Sequence, residues 1–526
     1  MPRILVADPL AEDGIARLRR EGEVTVAGKL GEAELVATIG DYDALVVRSE
    51  TKVTAPVIEA GKKLRVVGRA GVGVDNIDVA AATRRGILVV NAPRGNIVAA
   101  AEHTIALLLA VARSVPQADA SIRRGEWTRS KYTGVEIRGK TLGIVGLGNV
   151  GSEVSKRAHG LEMDVIAFDP VVSIERAELF NVELVPLDEL LKRADFVTVH
   201  VPLVEANRGL IGGRELGLMK PTARLINTAR GGIIDEAALY QALKAGTPAA
   251  AASDVFEQEP PGENPLFTLP NFIATPHIAA STVEAQASVA FDVAEEVAAV
   301  LAGDLPRFAV NAPSLPPEEL AYLRPFAELT ERVASLHTQL FGGRVGVVEL
   351  EYEGQLAQHD VSLLTASAIR GVLQGFTEER INSVNARLIA AGRGMRIVER
   401  RTPARGSYTS LITLRMHGHE LAGTVLMGEA RIVRIDSFRV DLHADGRFVI
   451  SRHEDRPGIV GRIGTILGEH DVNIASMQVG RDAPRGHAMM ILAVDDVVGD
   501  DVLDNLRGVD GLSDLHYVEL RGGGDS

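Results

Sequence analysis

A doubly wound α/β architecture, built twice and followed by two α+β domains, is what this sequence of 526 residues predicts. Three observations carry the expectation. Short apolar runs alternate with helix-like segments through residues 1–98 and again from 142 to 281, the pattern of parallel sheets covered by helices. The second series opens on a glycine fingerprint, Gly146-Leu147-Gly148-Asn149-Val150-Gly151. The last block, 448–521, reads β-α-β-β-α-β, the order of a ferredoxin-like domain.

Each element has its own reason. The runs 4–7, 44–47, 64–68 and 87–90 are short, β-branched and bounded by charged or turn residues, as buried strands are. Residues 99–125 predict a long helix, apolar enough over 99–111 to be buried on most sides. A basic loop, 126–134, follows it. Strands are then expected at 142–145, 165–168, 196–201, 224–227, 249–255 and 272–275. Ser281, with Glu284 as capping-box partner, starts a helix running to about 302. Pro306, Pro313, Pro316 and Pro317 mark a linker, so a domain boundary falls near residue 310. In the third block strands are expected at 345–352, 410–416 and 432–440, and helices at 325–340, 361–376 and 378–391. The final block gives strands 448–451, 474–479, 488–494 and 512–519 and helices 459–470 and 500–507. Disorder is expected for the tail, 522–526.

The fingerprint has a physical reading. Gly146 permits the sharp turn out of the strand, Gly148 lets a pyrophosphate approach the backbone, and Gly151 lets the helix pack close to the strand. The helix N-terminus offers unpaired N–H groups to phosphates. A second apolar run ends at Asp169, 18 residues beyond Gly151, where a carboxylate would accept the adenosine ribose hydroxyls. The same carboxylate repels a 2′-phosphate, and Pro170, Val171 and Val172 provide no Arg to hold one, so NAD is favoured over NADP. This is a Rossmann-like cofactor domain.

Composition narrows the classes. With 56 Lys+Arg against 70 Asp+Glu the net charge is −14, which argues against nucleic acid or an anionic membrane as partner. The absence of cysteine excludes disulfides, zinc–thiolate sites and a cysteine nucleophile. The N-terminus lacks a signal-peptide core and no run of roughly 18 apolar residues occurs, so a cytoplasmic protein without a membrane span is expected.

Three polar residues follow predicted strands of the cofactor half: Arg230, Glu259 and His277. In an open parallel sheet, ligands bind beyond the carboxyl ends of the strands. A His beside a carboxylate can take a hydroxyl proton, and an Arg can clamp a carboxylate with two parallel hydrogen bonds. The set suits removal of a hydride from an alcohol carbon.

These motifs resemble the D-2-hydroxyacid dehydrogenase family over residues 1–310: the fingerprint with Asp169, Thr228-Ala229-Arg230-Gly231-Gly232, Asp254-Val255-Phe256 followed by Glu259-Pro260, and His277-Ile278-Ala279-Ala280. The resemblance implies Arg230, Glu259 and His277 as catalytic residues. It implies cofactor contacts at Gly146, Gly148, Asn149, Val150, Gly151, Asp169, Thr228, Ala229, Arg230, Asp254, His277, Ile278, Ala279 and Ala280. It also implies a discontinuous outer substrate domain, 1–98 and 284–310, around a cofactor domain, 99–283.

The stretch Gly68–Asn76, Val47-Arg48-Ser49 and the two added domains are similar to the long-form branch of that family, which oxidises 3-phospho-D-glycerate to 3-phosphooxypyruvate at the start of L-serine biosynthesis. Arg48, Ser49 and Arg69, with Arg129 and Lys131 of the basic loop, are then the substrate-binding candidates. Residues 311–447 resemble that branch's intervening domain. A basic cluster there, Arg393, Arg396, Arg400, Arg401 and Arg405, is a candidate phosphate-like effector site, though such runs are more often solvated faces. Residues 448–526, with Asp455-Arg456-Pro457-Gly458 and Asp471-Val472-Asn473-Ile474, resemble an ACT domain, which implies L-serine as effector at His453, Asp455 and Asn473. Such sites form between subunits, so the expected assembly is a symmetric homo-oligomer, a tetramer. Two other readings stand: a related dehydrogenase acting on 2-oxoglutarate or glyoxylate, and a non-enzymatic NAD-sensing regulator.

Overall fold

The computed structural model describes residues 1–312, 315–342, 346–377, 381–404 and 406–520. It contains two parallel sheets and two further ones. Strands β1 (Arg3–Val6), β2 (Glu23–Val26), β3 (Ala44–Val47), β4 (Val66–Arg69) and β5 (Leu88–Asn91) form the first, in the order β2-β1-β3-β4-β5. Strands β6 (Thr141–Val145), β7 (Asp164–Phe168), β8 (Glu183–Leu184), β9 (Phe196–Val199), β10 (Arg224–Asn227), β11 (Ala250–Ser253) and β12 (Phe272–Ala274) form the second, in the order β12-β11-β10-β9-β6-β7-β8. Both are buried on two faces by helices, which is why their strands read as continuous apolar runs rather than alternating ones. Each fully buried Val or Ile in them contributes about 1.5–3 kcal/mol.

Register fixes where chemistry can occur. Asn227 pairs with Ser253, and Ser253 with Ala274, so β10, β11 and β12 end level and their loops leave side by side. Val47 pairs with Arg69 and Arg69 with Asn91, so the outer sheet presents its carboxyl ends as one edge.

Two helices cross between these sheets. α1 (Ile97–Arg113) leads into the cofactor domain and α2 (Asn149–Gly160) follows the glycine loop. α3 (Val283–Ala302) leads back, packing Val289, Val293 and Val297 into the outer-sheet core. The chain then rejoins that sheet: Ala309 bridges Val90 antiparallel, and Glu296 accepts hydrogen bonds from the Arg307 and Phe308 amides and the Arg307 guanidinium. The cap of α3 is Thr282, whose hydroxyl accepts from the Ala285 amide at 3.1 Å, and not Ser281. The same hydroxyl chemistry operates one residue later.

The third block forms a six-stranded mixed sheet, β14-β13-β15-β16-β17-β18, from β13 (Val347–Gly354), β14 (Arg396–Thr402), β15 (Ser410–Met416), β16 (His419–Leu426), β17 (Glu429–Ile435) and β18 (Phe438–His443). Its long helix, α4 (Pro317–Phe341), starts earlier than expected and continues through Pro325. Burial of Leu323, Phe326, Leu329, Val333 and Leu336 outweighs the hydrogen bond that Pro325 cannot donate. The expected helix 378–391 is Ala386–Gly392 among the described residues. Asn382 and Asn385 accept backbone N–H groups in a turn just before it, competing with helical hydrogen bonds. The expected strand 432–440 is two strands, folded back at Asp436, whose φ is +49°. Residues Glu378–Arg380, Val345, Pro313, Arg405 and the tail lie outside the described residues.

The fourth sheet, β20-β21-β19-β22, comprises β19 (Gly446–Glu454), β20 (Ile474–Arg481), β21 (His487–Val494) and β22 (Leu512–Leu520), with helices Ile459–Glu469 and Asp500–Arg507. α4 packs on this sheet as well as on the third, and one apolar core runs through both. No single helix among the described residues is long and apolar enough to cross a membrane.

Candidate active site

The loops leaving β10, β11 and β12 bring three of the sequence candidates to one edge. After β12 the backbone turns at His277, which takes a left-handed φ of +53°. The turn is held by the residue that follows β11. Asp254 accepts the Ile278 amide at 2.9 Å and the Ala279 amide at 2.8 Å, while its carbonyl accepts the His277 amide at 2.8 Å. His277 Nδ1 then lies 2.7 Å from Glu259 Oε2, and the other Glu259 oxygen accepts the Phe256 amide at 3.0 Å. Burial opposes the Glu259 charge, but those hydrogen bonds outweigh it and hold the carboxyl below its usual range. The same balance holds for Asp254, whose side chain is wholly enclosed.

Arg230 leaves the β10 loop, which Asn227 shapes by accepting the Ala229 amide and donating to the Arg230 carbonyl. Its Nε lies 3.5 Å from Asp75 of the outer domain, so the side chain spans the two sheets. The Arg230 guanidinium lies against the backbone of Gly73, where any Cβ would fall 2.3 Å from Nη2. A Cβ at Gly71, where φ is +153°, would lie 2.0 Å from Arg69 Nη1. Glycine at both positions makes room for the two guanidiniums.

Arg69 is the most perturbed cation of the cleft. Burial, then the positive charges of Arg230 and Arg48, push it down to about 10 against the pull of Asp75 and Asp8. Its Nε is buried without a partner. Asp8 is held in place beside this cluster: its oxygens accept the Arg48 amide, the Thr51 amide and the Thr51 hydroxyl. Ser49 is exposed beside Arg48. Arg129 and Lys131 lie exposed in the turn Arg129–Tyr132.

The glycine loop fits a dinucleotide. Gly146 has φ +100°, and a Cβ there would lie 2.7 Å from the His200 carbonyl; one at Gly151 would lie 2.1 Å from the Gly146 carbonyl. A Cβ at Gly148 would touch nothing, so the backbone is open at the N-terminus of α2, where Asn149 is exposed and Val150 half-buried. Asp169, half-buried at the end of β7, accepts the Leu147 amide at 2.9 Å and the Val171 amide at 2.9 Å, which fixes its carboxylate beside that opening. Thr228 is buried, Ala229 and Ala280 half-buried, and Ile278 exposed.

The effector candidates are not brought together within one chain. His453 is buried on β19, and Asp455, just past that strand, accepts the Arg485 amide at 2.9 Å. Glu454 pairs with His487 at that end of the sheet. Asn473 precedes β20, whose Ile474 pairs with Val494 at the opposite end, and it donates to Asp495 at 2.6 Å. In the third block, Arg400 pairs with Glu349 and Arg393 donates to Thr377, so that basic run is in part an ion-paired surface.

Sequence reasoning passed over Asp8, Asp75, His103 and Thr104. Asp8 was signalled by its place directly after the apolar run 4–7. His103 and Thr104 were signalled as adjacent polar residues inside an otherwise apolar helix.

Comparison with known proteins covers the whole chain. Residues 105–279 match the family model of the D-isomer specific 2-hydroxyacid dehydrogenase NAD binding domain, residues 322–436 that of the D-3-phosphoglycerate dehydrogenase intervening domain, and residues 447–511 that of the ACT domain. The D-3-phosphoglycerate dehydrogenase of Archaeoglobus fulgidus is 46% identical over 526 residues, covering 98% of this chain and 100% of the relative. That of Methanocaldococcus jannaschii is 46% identical over 525 residues, covering 99% and 100%. Among solved structures, a protein of Thermus thermophilus superposes with a TM-score of 0.55 at 37% identity, covering 59% of this chain and 99% of its own.

Proposed function

The chain belongs to the D-3-phosphoglycerate dehydrogenases of the D-2-hydroxyacid dehydrogenase family, and from that premise we propose that it oxidises 3-phospho-D-glycerate to 3-phosphooxypyruvate, opening L-serine biosynthesis. The cofactor is NAD, which when bound supplies the hydride acceptor. The observation that carries the proposal is the His277–Glu259 hydrogen bond of 2.7 Å at the same sheet edge as Arg230, which reaches across to Asp75.

The residues divide the work. Glu259 takes the Nδ1 side of His277 and leaves Nε2 to accept the substrate hydroxyl proton as the carbonyl forms. Arg230 holds the substrate carboxylate. Arg69 and Arg48, at strand ends of the outer edge, supply the positive charge that meets the phosphate. Gly146, Gly148, Gly151 and Asp169 hold the dinucleotide as the fingerprint requires.

The test is NADH formation with NAD and 3-phosphoglycerate, run beside unphosphorylated glycerate, with 2-oxoglutarate and glyoxylate in the reverse direction. Turnover strongest with phosphoglycerate supports the proposal. Preference for another acid moves the assignment to that substrate, and no turnover with any of them leaves the regulatory reading.

L-serine is the inferred effector of the fourth domain. Asp455 and Asn473 lie at opposite ends of its sheet, so a pocket using both needs a second copy of the chain, in keeping with a homo-oligomer such as a tetramer. Titration calorimetry with serine should show binding that Asn473→Ala weakens. Binding unchanged by that substitution, or none in the parent protein, removes the site.

A further inference from the structure

Helix α1 carries two adjacent polar residues that touch both catalytic loops. His103 Nε2 lies 3.3 Å from Asp254 Oδ1 and 3.2 Å from Thr275 Oγ1. Thr275 itself donates to Asp254 Oδ1 at 2.5 Å. Thr275 thus joins the Ile278 and Ala279 amides as a donor to the Asp254 carboxylate, and His103 braces both Thr275 and the carboxylate, so the turn bearing His277 hangs on an enclosed acid that α1 helps to hold. One residue on, the Thr104 hydroxyl donates to the Ala100 carbonyl at 2.8 Å and lies 2.7 Å from the Thr228 hydroxyl. With its own proton spent on Ala100, Thr104 accepts from Thr228, the residue that opens the Arg230 loop. Thr104 is fully buried and Thr228 nearly so.

An apolar crossing helix needs neither side chain for packing. Burying the Thr104 hydroxyl and enclosing most of the His103 imidazole costs free energy unless each is hydrogen-bonded, and each is bonded to a different loop. We propose that His103 and Thr104 are positioning residues: together they clamp the His277 loop and the Arg230 loop to the helix that enters from the outer domain, fixing the spacing between proton acceptor and substrate clamp. This rests on the roles given above to His277 and Arg230. The two halves of the clamp act on different groups, so they separate kinetically. His103→Leu loosens the His277 turn and lowers kcat about 10–100-fold, the loss expected when a catalytic group shifts by about 1 Å. Thr104→Val frees the Arg230 loop and raises KM for phosphoglycerate several-fold, with the smaller change in kcat. His103→Gln keeps a donor for Asp254 and restores most of the activity.

The experiment combines steady-state kinetics with hydrogen–deuterium exchange of the peptide covering residues 277–281. His103→Leu should speed exchange at Ile278 and Ala279, whose amides donate to Asp254, and His103→Gln should reverse that. Unchanged exchange in His103→Leu overturns the clamp whatever the enzyme's substrate proves to be. Faster exchange in an assay where the parent protein turns over no 2-hydroxy acid would leave the clamp standing and remove the functional reading instead. If both substitutions lower kcat and raise KM in the same proportion, the loss is a general one and the proposal is wrong.

Discussion

The first 312 residues bring their candidate site residues together, whereas the last sheet keeps its own apart. In the catalytic half, two parallel sheets with separate cores turn their carboxyl edges toward one another, and every catalytic candidate leaves a strand at that edge. One chain therefore assembles Arg69, Arg230, Glu259 and His277 unaided. In the last domain, β19 and β20 both run antiparallel to β21 and so parallel to one another, and helix Ile459–Glu469 crosses from the exit of one to the entrance of the other; Asp455, past the end of β19, and Asn473, before the start of β20, therefore lie at opposite ends of the sheet. There one apolar core runs through both sheets by way of α4, and a second cluster under the two helices of the last sheet closes its other face. What decides whether side chains meet is which strand ends carry them: the catalytic candidates all follow the carboxyl ends of their strands, whereas Asp455 follows one strand and Asn473 precedes another.

The sharpest way to break this comparison is at His277. If the catalytic edge is complete within the chain, His277→Ala should lower kcat about 10²–10⁴-fold, the usual worth of a positioned acid–base group. NAD binding, read by quenching of intrinsic fluorescence, should stay within a factor of about two, since the glycine loop and Asp169 lie on other strands. A loss of NAD affinity in step with kcat would mean that the His277 turn is part of the cofactor pocket's scaffold.

Much of the catalytic half was legible because its signals are local. The fingerprint, Asp169 and the three catalytic candidates each follow an apolar run that reads as a strand. What was not legible is held by contacts distant in sequence. Asp75 meets Arg230 from the other sheet, and His103 meets Asp254 from a helix that reads as plain apolar core. The C-terminal half was harder for a different reason. Strand β14 carries three consecutive charges, Glu399-Arg400-Arg401, and β16 four consecutive buried residues, Leu421-Ala422-Gly423-Thr424, so neither shows the alternation of a half-buried strand, and a turn at Asp436 hid inside what reads as one strand.

The core of the C-terminal half can be tested by acid. His337 on α4 is wholly buried, with Nε2 bonded to the Met416 carbonyl at 3.0 Å and Nδ1 unpartnered. Burial, aided by the nearby His419 and His417 and opposed by the Met416 hydrogen bond, pushes it down from 6.5 to about 4. Its folded value lies below its unfolded one, so between these values the unfolded chain binds the proton and the folded chain does not. Stability is therefore unaffected above pH 6.5, falls as the pH drops toward 4, and loses about 3 kcal/mol from this group in all. His337→Gln keeps a side chain able to hydrogen-bond Met416 and removes the titration. Thermal melting followed by calorimetry should show the unfolding of the C-terminal half of this variant less sensitive to acid over that interval. An unchanged slope would assign the acid sensitivity to other groups.

The smallest effect sharpens the comparison where the two sheets of the catalytic half are joined. α3 starts shortly after His277, and its cap decides how firmly the loop end is anchored. Sequence reasoning put the cap at Ser281; the hydrogen bond to the Ala285 amide comes from Thr282. A hydroxyl cap of this kind is worth about 1 kcal/mol. Thr282→Ala should therefore lower stability by about that much, and Thr282→Ser by a few tenths at most, because serine offers the same acceptor. Ser281→Ala should cost almost nothing, since its exposed side chain caps no amide in the structure. Urea denaturation of the three variants separates the two assignments directly. If Ser281→Ala costs the kilocalorie and Thr282→Ala does not, the helix begins one residue earlier, and the turn bearing His277 is shorter by that residue.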